Sequence, residues 1–256
     1  MNCFQSTLSI FNATLAAVTD VMSLVRGDRL TLHRTNHLLL GIKMKQQTGS
    51  FIKRNLPFIL FVVLMFSFRS SVADYYHVPT GSMEPTIQVG DRIVVDKSAY
   101  TFELPFTNMV LAHTGNIARG DIVVIQSSAA NTRLVKRVIA VAGDTVHLSN
   151  NNLTVNGDHA LIQRLDNYIF QENMGESQRT IQLLPVKGAR TSFNEVVVPE
   201  KHVLVMGDNR NNSVDSRYYG FIPVEEIQGQ ATRVAFSLDK ENYYLPRSAR
   251  SLLALQ

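Results

Sequence analysis

Short runs of β-branched and other apolar residues, separated by turn-forming residues, occupy most of the chain after residue 74. These runs are Arg92–Val95, Ile122–Ile125, Leu134–Val141, Thr145–Leu148, Leu153–Val155, Glu195–Val198, His202–Met206 and Ala231–Phe236. The residues between them include Gly90-Asp91, Gly120-Asp121, Gly143-Asp144, Asn150–Asn152 and Asn156-Gly157. Runs of this length with such boundaries are typical of β-strands. Because no repeated helix of crossover length separates them, the pattern predicts a mainly β fold with antiparallel, curved sheets.

Residues 150–195 interrupt this pattern. They are richer in polar residues, and the stretch Gln163–Thr180 has no clear helical or strand period. We therefore predict a small inserted subdomain over residues 150–195, set into a main β domain formed by residues 74–149 and 196–238. Residues 239–256 follow as a C-terminal tail, which we expect to be peripheral.

An uncharged apolar run, Leu56–Phe68, precedes the β-rich part. Its 13 residues become 18 if it continues through Ala73 with the Arg69 side chain reaching the membrane interface. A transmembrane helix needs roughly 17–25 residues. The alternative is a helix buried in a soluble core, but such a helix usually has a polar face and this run has none. The sequence therefore predicts a transmembrane helix over residues 56–73, behind an N-terminal segment of residues 1–55.

Basic residues are concentrated ahead of this run. Residues 1–54 contain seven Lys or Arg and two Asp, whereas the rest of the chain contains 18 basic and 19 acidic residues. Lys53 and Arg54 lie just before the run and only Arg69 lies near its end, so the positive-inside rule predicts a cytoplasmic N-terminus and an exported β domain. The balanced charge of the exported part argues against a nucleic-acid partner. Met44 also offers a translation start, which would remove the first 43 residues.

Metal and disulfide chemistry find little support in the composition. Cys3 is the single cysteine, so the chain can form no intramolecular disulfide and no cysteine-based metal cluster. The histidines show no spacing that suits a metal site. We therefore predict no metal and no cofactor.

A proline-bounded turn follows the apolar run at Val78–Thr86. Pro79 and Pro85 stiffen the chain on either side of Gly81 and Ser82. Gly81 permits a tight backbone that presents the Ser82 hydroxyl. An ordinary turn has the same residues, so this cluster alone does not establish a nucleophile.

A second cluster places one lysine inside an apolar strand. Lys136 shares its predicted strand face with Leu134 and Val138, whereas Val135 and Arg137 point to the opposite face. An apolar face would remove water from the amine and lower its pKa. A lysine that extends from a sheet edge into solvent is the alternative.

A third cluster, Met206–Gly220, is dense in Asp, Asn, Ser and Arg and lies between two apolar runs. Such a stretch is either a solvated loop or an internal hydrogen-bond network that braces a site.

Together the clusters resemble one family, the type I signal peptidases (leader peptidases) of bacteria, over roughly residues 56–236. The matching motifs are Ser82-Met83 within Pro79–Thr86, Gly120–Val124, Lys136-Arg137 with Gly143-Asp144, and Gly207–Arg217. Several motifs in the family order, behind a membrane anchor, are far more specific than any one of them.

The resemblance implies a signal-peptidase-like fold and a Ser-Lys catalytic dyad. Ser82 would be the nucleophile and Lys136 its general base, and the Thr80 hydroxyl would join the Ser82 amide in the oxyanion hole. Ser213 would orient the lysine amine. The supporting ionic network would consist of Asp208, Asp215, Arg137 and Arg217.

The resemblance also implies a function. The protein would be a single-pass serine endopeptidase of the bacterial inner membrane, with its catalytic domain on the periplasmic face and membrane lipids as partners. It would remove signal peptides from exported preproteins at Ala-x-Ala-like sites through an acyl-enzyme. We assign the substrate pockets to Tyr76, Val78, Met83, Ile87, Val124, Leu134 and Val135.

Three alternatives share part of this pattern. Self-cleaving repressor-type proteins use the same dyad but carry a DNA-binding domain, which is not found here. Peptidases of conjugative pilus maturation tend to be smaller and to lack part of the third cluster. An inactive membrane-tethered module that only binds preproteins would fail a cleavage assay. The sequence around Ser82 does not fit the Gly-x-Ser-x-Gly motif of Ser-His-Asp hydrolases.

Overall fold

The computed structural model describes residues 54–62, 65, 73–103, 109–175, 177–239 and 242–255. Residues 54–62 are helical. Within the described ranges, no helix has the length and apolar character needed to cross a membrane. Most of the N-terminal segment and much of the predicted span over residues 56–73 lie outside the described residues.

The predicted end of the span is corrected by the first strand, β1 (Ala73–His77). Ala73 is the first residue of this strand and pairs with Asp96. Because Ala73 is small and uncharged, hydropathy did not separate it from the run before it.

The main sheet has nine strands, and all of its pairings are antiparallel. Its strands are β1, β2 (Asp91–Asp96), β5 (Ile122–Ser127), β6 (Thr132–Ala140), β14 (His202–Met206), β15 (Ile222–Pro223), β16 (Ile227–Asp239), β17 (Leu245–Pro246) and β18 (Leu253–Ala254). The order across the sheet is β1-β2-β16-β5-β6-β14-β15, and β17 and β18 also pair with β16. The mainly β, antiparallel prediction is therefore confirmed. The tail is not peripheral as expected, because two of its segments pair with a central strand.

Strand β16 joins two hairpins that are distant in sequence. It pairs with β2 on one side and β5 on the other, so it connects the β1–β2 hairpin to the β5–β6 hairpin. Gly229 lies opposite Val124 with a φ of 153°, and a Cβ there would collide with the backbone of Asp96 and Lys97. Glycine thus permits the close approach of β16 to the end of β2.

The main sheet is strongly curved. The guanidinium carbon of Arg133 on β6 lies 4.2 Å from the centre of the Tyr76 ring on β1, although three strands separate β6 from β1 in the sheet order. Such an approach requires the sheet to curl towards closure. This contact fits the predicted curvature, which would bring the segment after β1 close to β6.

Strand β5 divides the core between its two faces. Ile122 and Val124 belong to a cluster that we call the loop cluster, formed by Val78, Met83, Ile87, Ile93, Val95, Ile122, Val124, Ala231 and Val234. Val123 and Ile125 belong to the central cluster, formed by Tyr100, Val123, Ile125, Val138, Val203, Val205 and Ile222. This division follows from the two-residue period of a strand that is buried on both faces.

The described residues also form three smaller sheets. A four-stranded sheet has the order β13-β7-β8-β9, with β7 (Thr145–Ser149), β8 (Asn152–Val155), β9 (Asp158–His159) and β13 (Phe193–Val197). A three-stranded sheet contains β10 (Leu161–Arg164), β11 (Ile169–Met174) and β12 (Ser177–Gln182), and a hairpin contains β3 (Thr101–Glu103) and β4 (Val110–His113). The three-stranded sheet lies within the predicted insertion, whereas β8, β9 and β13 pair with β7 or with one another. The domain boundaries at residues 150 and 195 stay a prediction.

Short helical turns connect some of these strands. They are the α-helix Ser216–Tyr219 and the 3-10 turns Lys97–Ala99, Arg210–Asn212, Val224–Glu226 and Ser248–Arg250.

A buried ion cluster fastens the three-stranded sheet to the segment after β14. The Glu172 carboxylate on β11 accepts hydrogen bonds from Arg210, at 2.7 and 2.5 Å, and from Arg179 on β12, at 2.5 Å. Glu172 is fully buried. Burial alone would raise its pKa, but the charges and hydrogen bonds of the two arginines outweigh burial and lower the pKa to about 2.

Glu172→Gln tests this cluster. The change leaves two buried guanidinium groups without a counter-charge, and breaking a buried ion pair on one side costs about 3–5 kcal/mol. We expect a loss of about that size in the free energy of unfolding near neutral pH, measured by urea denaturation. Glu195→Gln, at an exposed site on β13, is the matched control. Equal stability of the two variants would contradict the prediction.

Candidate active site

The segment that carries Ser82, residues 78–91, is clipped at its base; we call it the Ser82 loop. The Val78 amide donates to the Asp91 carbonyl at 3.0 Å, and the Gly90 amide donates to the Val78 carbonyl at 3.1 Å. Met83 and Ile87 are buried in the loop cluster. The loop is therefore fixed by backbone hydrogen bonds at one end and by two apolar side chains near Ser82.

The segment after β14, residues 207–217, holds the loop backbone on either side of the serine; we call it the polar loop. The Asn209 amide donates to the Ser82 carbonyl at 3.1 Å, and its side-chain Nδ2 donates to the Gly81 carbonyl at 3.0 Å. A Cβ at Gly207 would overlap the Ser82 carbonyl and the Ser213 side chain. Only glycine at position 207 lets the two loops approach this closely.

Lys136 meets Ser82 directly. Its Nζ lies 2.7 Å from Ser82 Oγ and donates a second hydrogen bond to the Val135 carbonyl at 3.0 Å. Lys136 is 3 % exposed, and its cross-strand neighbour on β5 is the fully buried Val123. The alternative of a solvated edge lysine is wrong.

Burial sets the protonation of this amine. Loss of water around Lys136 lowers its pKa, the carboxylates of Asp215 and Asp208 oppose that effect, and Arg217 lowers the pKa further. The net result is a pKa of about 8, against an ordinary value of 10.5. Roughly a tenth of the lysine is therefore neutral near pH 7, and a neutral amine accepts a hydrogen bond from the serine hydroxyl.

Asp208 links the Ser82 loop to the strand of Lys136. Its carboxylate accepts two hydrogen bonds from Arg137, at 2.8 and 2.7 Å, and one from the Thr86 hydroxyl at 2.6 Å. Arg137 also donates to the Gly120 carbonyl at 2.8 Å. Both charged side chains are almost fully buried. The paired charges thus fix Thr86 relative to the residue next to Lys136.

Asp215 organises the polar loop itself. Its carboxylate accepts hydrogen bonds from the Arg217 guanidinium at 2.8 Å, from the Ser213 hydroxyl at 2.8 Å and from the Gly207 amide at 3.0 Å. Burial would raise the Asp215 pKa, but the bonds and charge of Arg217 and the other two donors lower it overall. Asp215 is therefore an anion, and it holds the loop in its observed shape.

The predicted site residues come together in part. Ser82, Lys136, Asp208, Asp215, Arg137 and Arg217 form one connected group of contacts. Ser213 donates to Asp215, so its role in orienting the lysine stays a prediction. Thr80 is exposed, two residues before Ser82, and its place in an oxyanion hole also stays a prediction.

The seven predicted pocket residues divide between two clusters. Six belong to the loop cluster or pack against it, namely Tyr76, Val78, Met83, Ile87, Val124 and Val135. Leu134 packs against the central cluster instead. Tyr76 and Val135 are partly exposed, whereas Met83, Ile87 and Val124 are buried. Their contact with substrate stays a prediction.

Some contributors had no assigned role in the sequence interpretation. Asn209, Gly207 and Thr86 lie inside the motifs that carry the family resemblance, but the sequence interpretation assigned none of them a role. The pairing of Glu172 with Arg210 could not be predicted from a local pattern, because the two residues lie 38 positions apart in sequence. Across the described ranges, no three His, Cys, Asp or Glu side chains are placed to hold a metal ion.

The geometry suits nucleophilic catalysis. A hydroxyl lies within hydrogen-bond distance of a buried amine of lowered pKa, and fixed backbone surrounds both groups. An amine of this kind can take the hydroxyl proton as the oxygen attacks an electrophile.

Comparisons with known proteins found a matching family model, several relatives and a similar solved structure. The sequence model of the family described as "Signal peptidase, peptidase S26" matches residues 49–236. The signal peptidase I of Pseudomonas fluorescens is 32% identical over 213 residues, which cover 75% of this chain and 74% of that protein. The signal peptidase I P of Bacillus subtilis subsp. natto is 32% identical over 199 residues, covering 77% of this chain and 96% of that protein. A crystal structure of a signal peptidase I from Enterococcus faecalis is 28% identical, with a TM-score of 0.31, and covers 46% of this chain and 97% of that chain.

Lys136→Met tests the lowered pKa without an activity assay. The ordinary lysine pKa of about 10.4 applies to the unfolded chain. Below about pH 8 the buried amine therefore costs about 3 kcal/mol of stability, and this cost fades as pH rises towards 10. We expect the variant to gain up to about that amount at pH 7 and little near pH 10.5, measured by urea unfolding.

Lys187→Met, at an exposed site, controls for the change of residue type. Because other groups titrate equally in both proteins, the difference between wild type and Lys136→Met isolates this amine. The same gain at both pH values would contradict the lowered pKa.

Proposed function

Because the chain belongs to the signal peptidase family (peptidase S26), we propose that it is a membrane-bound serine endopeptidase that removes signal peptides from exported preproteins. The observation that carries the proposal is the 2.7 Å contact between Lys136 Nζ and Ser82 Oγ at a buried position. In this proposal, Lys136 is the general base of the Ser82–Lys136 dyad, and its pKa is about 8.

The reaction proceeds through an ester on Ser82. Its Oγ attacks the carbonyl carbon of the scissile bond while its proton passes to the neutral Lys136 amine. The Thr80 hydroxyl and the Ser82 amide donate to the oxyanion that forms. As the C–N bond breaks, Lys136 returns the proton to the departing amine. Water then attacks the ester while Lys136 takes its proton. The signal peptide leaves as a carboxylate, and Lys136 returns the proton to the Ser82 oxygen.

The strand edges near the dyad suit an extended substrate. Strand β1 lies at one end of the main sheet, and within the described residues β14 pairs with β6 only from Arg137 onwards. Residues 132–136 of β6 therefore offer a backbone edge, and Arg133 stacks on Tyr76 of β1. A peptide that adds to these edges directs alternate side chains to one face. Small residues two positions apart, as in Ala-x-Ala, would then face the loop cluster together.

Membrane attachment rests on two features. The apolar run from residue 56 follows a basic segment, which places the N-terminus in the cytoplasm and the catalytic domain on the outer face of the inner membrane. The start of strand β4 and the residue before it carry exposed apolar side chains, with Met109 at 63%, Val110 at 47% and Leu111 at 54% exposure. Exposed apolar side chains can mark a protein or membrane contact, and the preceding apolar run favours the membrane.

Ser82→Ala and Lys136→Ala test the dyad. We expect each to reduce cleavage of a preprotein with an Ala-x-Ala site by at least about 10³-fold, because Ser82→Ala removes the nucleophile and Lys136→Ala removes the base that takes its proton. The measurement is conversion of preprotein to mature protein on gels, with wild type and variants in identical membranes. Thermal unfolding confirms that each variant is folded. Cleavage by purified Lys136→Ala at the wild-type rate would sink the mechanism.

The pH profile tests the base. Only the neutral amine accepts the serine proton, so we expect kcat to fall below about pH 8, by about tenfold per unit well below that value. Single-turnover cleavage between about pH 5 and 9 measures this limb. A flat profile across that range would show that no group of this pKa limits the reaction.

A further inference from the structure

The C-terminal tail runs back along the main sheet to the Ser82 loop. The region matched by the family ends at residue 236, so the tail lies beyond it. Just before the tail, the Leu238 amide of β16 donates to the Gly90 carbonyl at the base of the loop, and within the tail Leu253 and Ala254 pair with β16. Leu255 then packs against the loop cluster. The last described residues therefore contact the apolar support of Met83 and Ile87.

Arg250 makes the direct link from the tail to the loop. Its Nη2 donates to the Thr86 carbonyl at 2.9 Å and to Asp91 Oδ2 at 2.6 Å, and its Nε donates to Asp91 Oδ1 at 3.1 Å. Asp91 is fully buried and also accepts from the Gln88 amide at 2.8 Å. One guanidinium thus ties the middle of the Ser82 loop to its end.

Thr86 passes this restraint on to the dyad. Its carbonyl is held by Arg250, and its hydroxyl donates to Asp208, which is paired with Arg137 beside Lys136. The residue therefore lies between two ion pairs, the partly exposed Arg250–Asp91 pair from the tail and the buried Arg137–Asp208 pair from the polar loop. A shift of Thr86 would move Ser82, four residues earlier, relative to the lysine amine.

We propose that Arg250 is a positioning residue for the Ser82–Lys136 pair, and that the tail contributes to the working site through this side chain. The inference rests on the proposed function, because it concerns the geometry of that dyad. Without Arg250, the Asp91 carboxylate and the Thr86 carbonyl lose their shared donor, and the loop between them relaxes. Water then reaches the Lys136 amine, and its pKa moves towards the ordinary value.

Arg250→Ala tests the inference in the full chain, purified in detergent, with a preprotein carrying an Ala-x-Ala site. A displacement of about 1 Å between reacting groups can cost about 10²-fold in rate. We expect kcat to fall about 10- to 100-fold with KM within about twofold of wild type. The pH below which kcat falls should also increase, because an amine in contact with water has a higher pKa.

Two variants serve as controls. Arg233→Ala removes an exposed arginine of the strand that the tail pairs with, and Leu252→Ala changes an exposed tail residue. Both should keep the wild-type kcat and pH profile. If Arg250→Ala does not fold, Arg250→Lys decides, because it keeps a positive charge beside Asp91 but cannot reach both oxygen partners with a planar fork.

The outcomes separate the two proposals. An inactive wild type, or an active Ser82→Ala, would overturn the proposed function itself. An active wild type together with a lower kcat and a shifted limb in Arg250→Ala or Arg250→Lys supports the role of the tail. A folded Arg250 variant with wild-type kcat and pH profile, even if less stable, would overturn the tail's role and leave the dyad intact.

Discussion

The site depends on one energetically unfavourable arrangement. The Lys136 amine is held out of water next to the Ser82 hydroxyl. Burial lowers the pKa of Lys136 to about 8, and two nearby carboxylates limit how far it falls. If the amine were wetter it would stay protonated at neutral pH, and if the carboxylates were absent it would be a weaker base. The balance requires both an apolar sheet around the lysine and anions at a controlled distance from it.

The anions are themselves controlled by arginines. Asp208 is paired with Arg137, and Asp215 with Arg217, each through two hydrogen bonds. Buried ion pairs of this kind add little net stability, because the loss of water offsets much of their attraction. Their contribution here is positional: they fix segments that no strand pairing holds in place. The backbone at Ser82 is fixed by hydrogen bonds from Asn209 and not by strand pairing.

Local patterns in the sequence predicted several strands of the main sheet, and the order of the motifs predicted the dyad through the family resemblance. The two-residue period of Ile122–Ile125 and the apolar neighbours of Lys136 each reflect an environment that extends along the chain, so a short window reveals it. Glu172 and Arg250 are different, because each acts through a partner that lies 38 or more residues away. An isolated charge in a polar stretch has the same local pattern whether it is solvated or buried in an ion pair. Ala73 is another position that a local pattern does not resolve. A small, uncharged residue is compatible with both the end of a helix and the start of a strand.

The position of β16 has a consequence for biogenesis. The nucleophile follows the β1–β2 hairpin and the base lies on the β5–β6 hairpin, and β16 is the strand that pairs with both. Residues 227–239 leave the ribosome, and in the proposed topology cross the membrane, after every other part of the dyad and its polar loop. The two hairpins can form early from local contacts, but the sheet that joins them awaits this late strand. A chain interrupted before β16 would therefore carry both reactive groups without a shared site, so proteolytic activity would appear only after residues 227–239 have been synthesised and translocated.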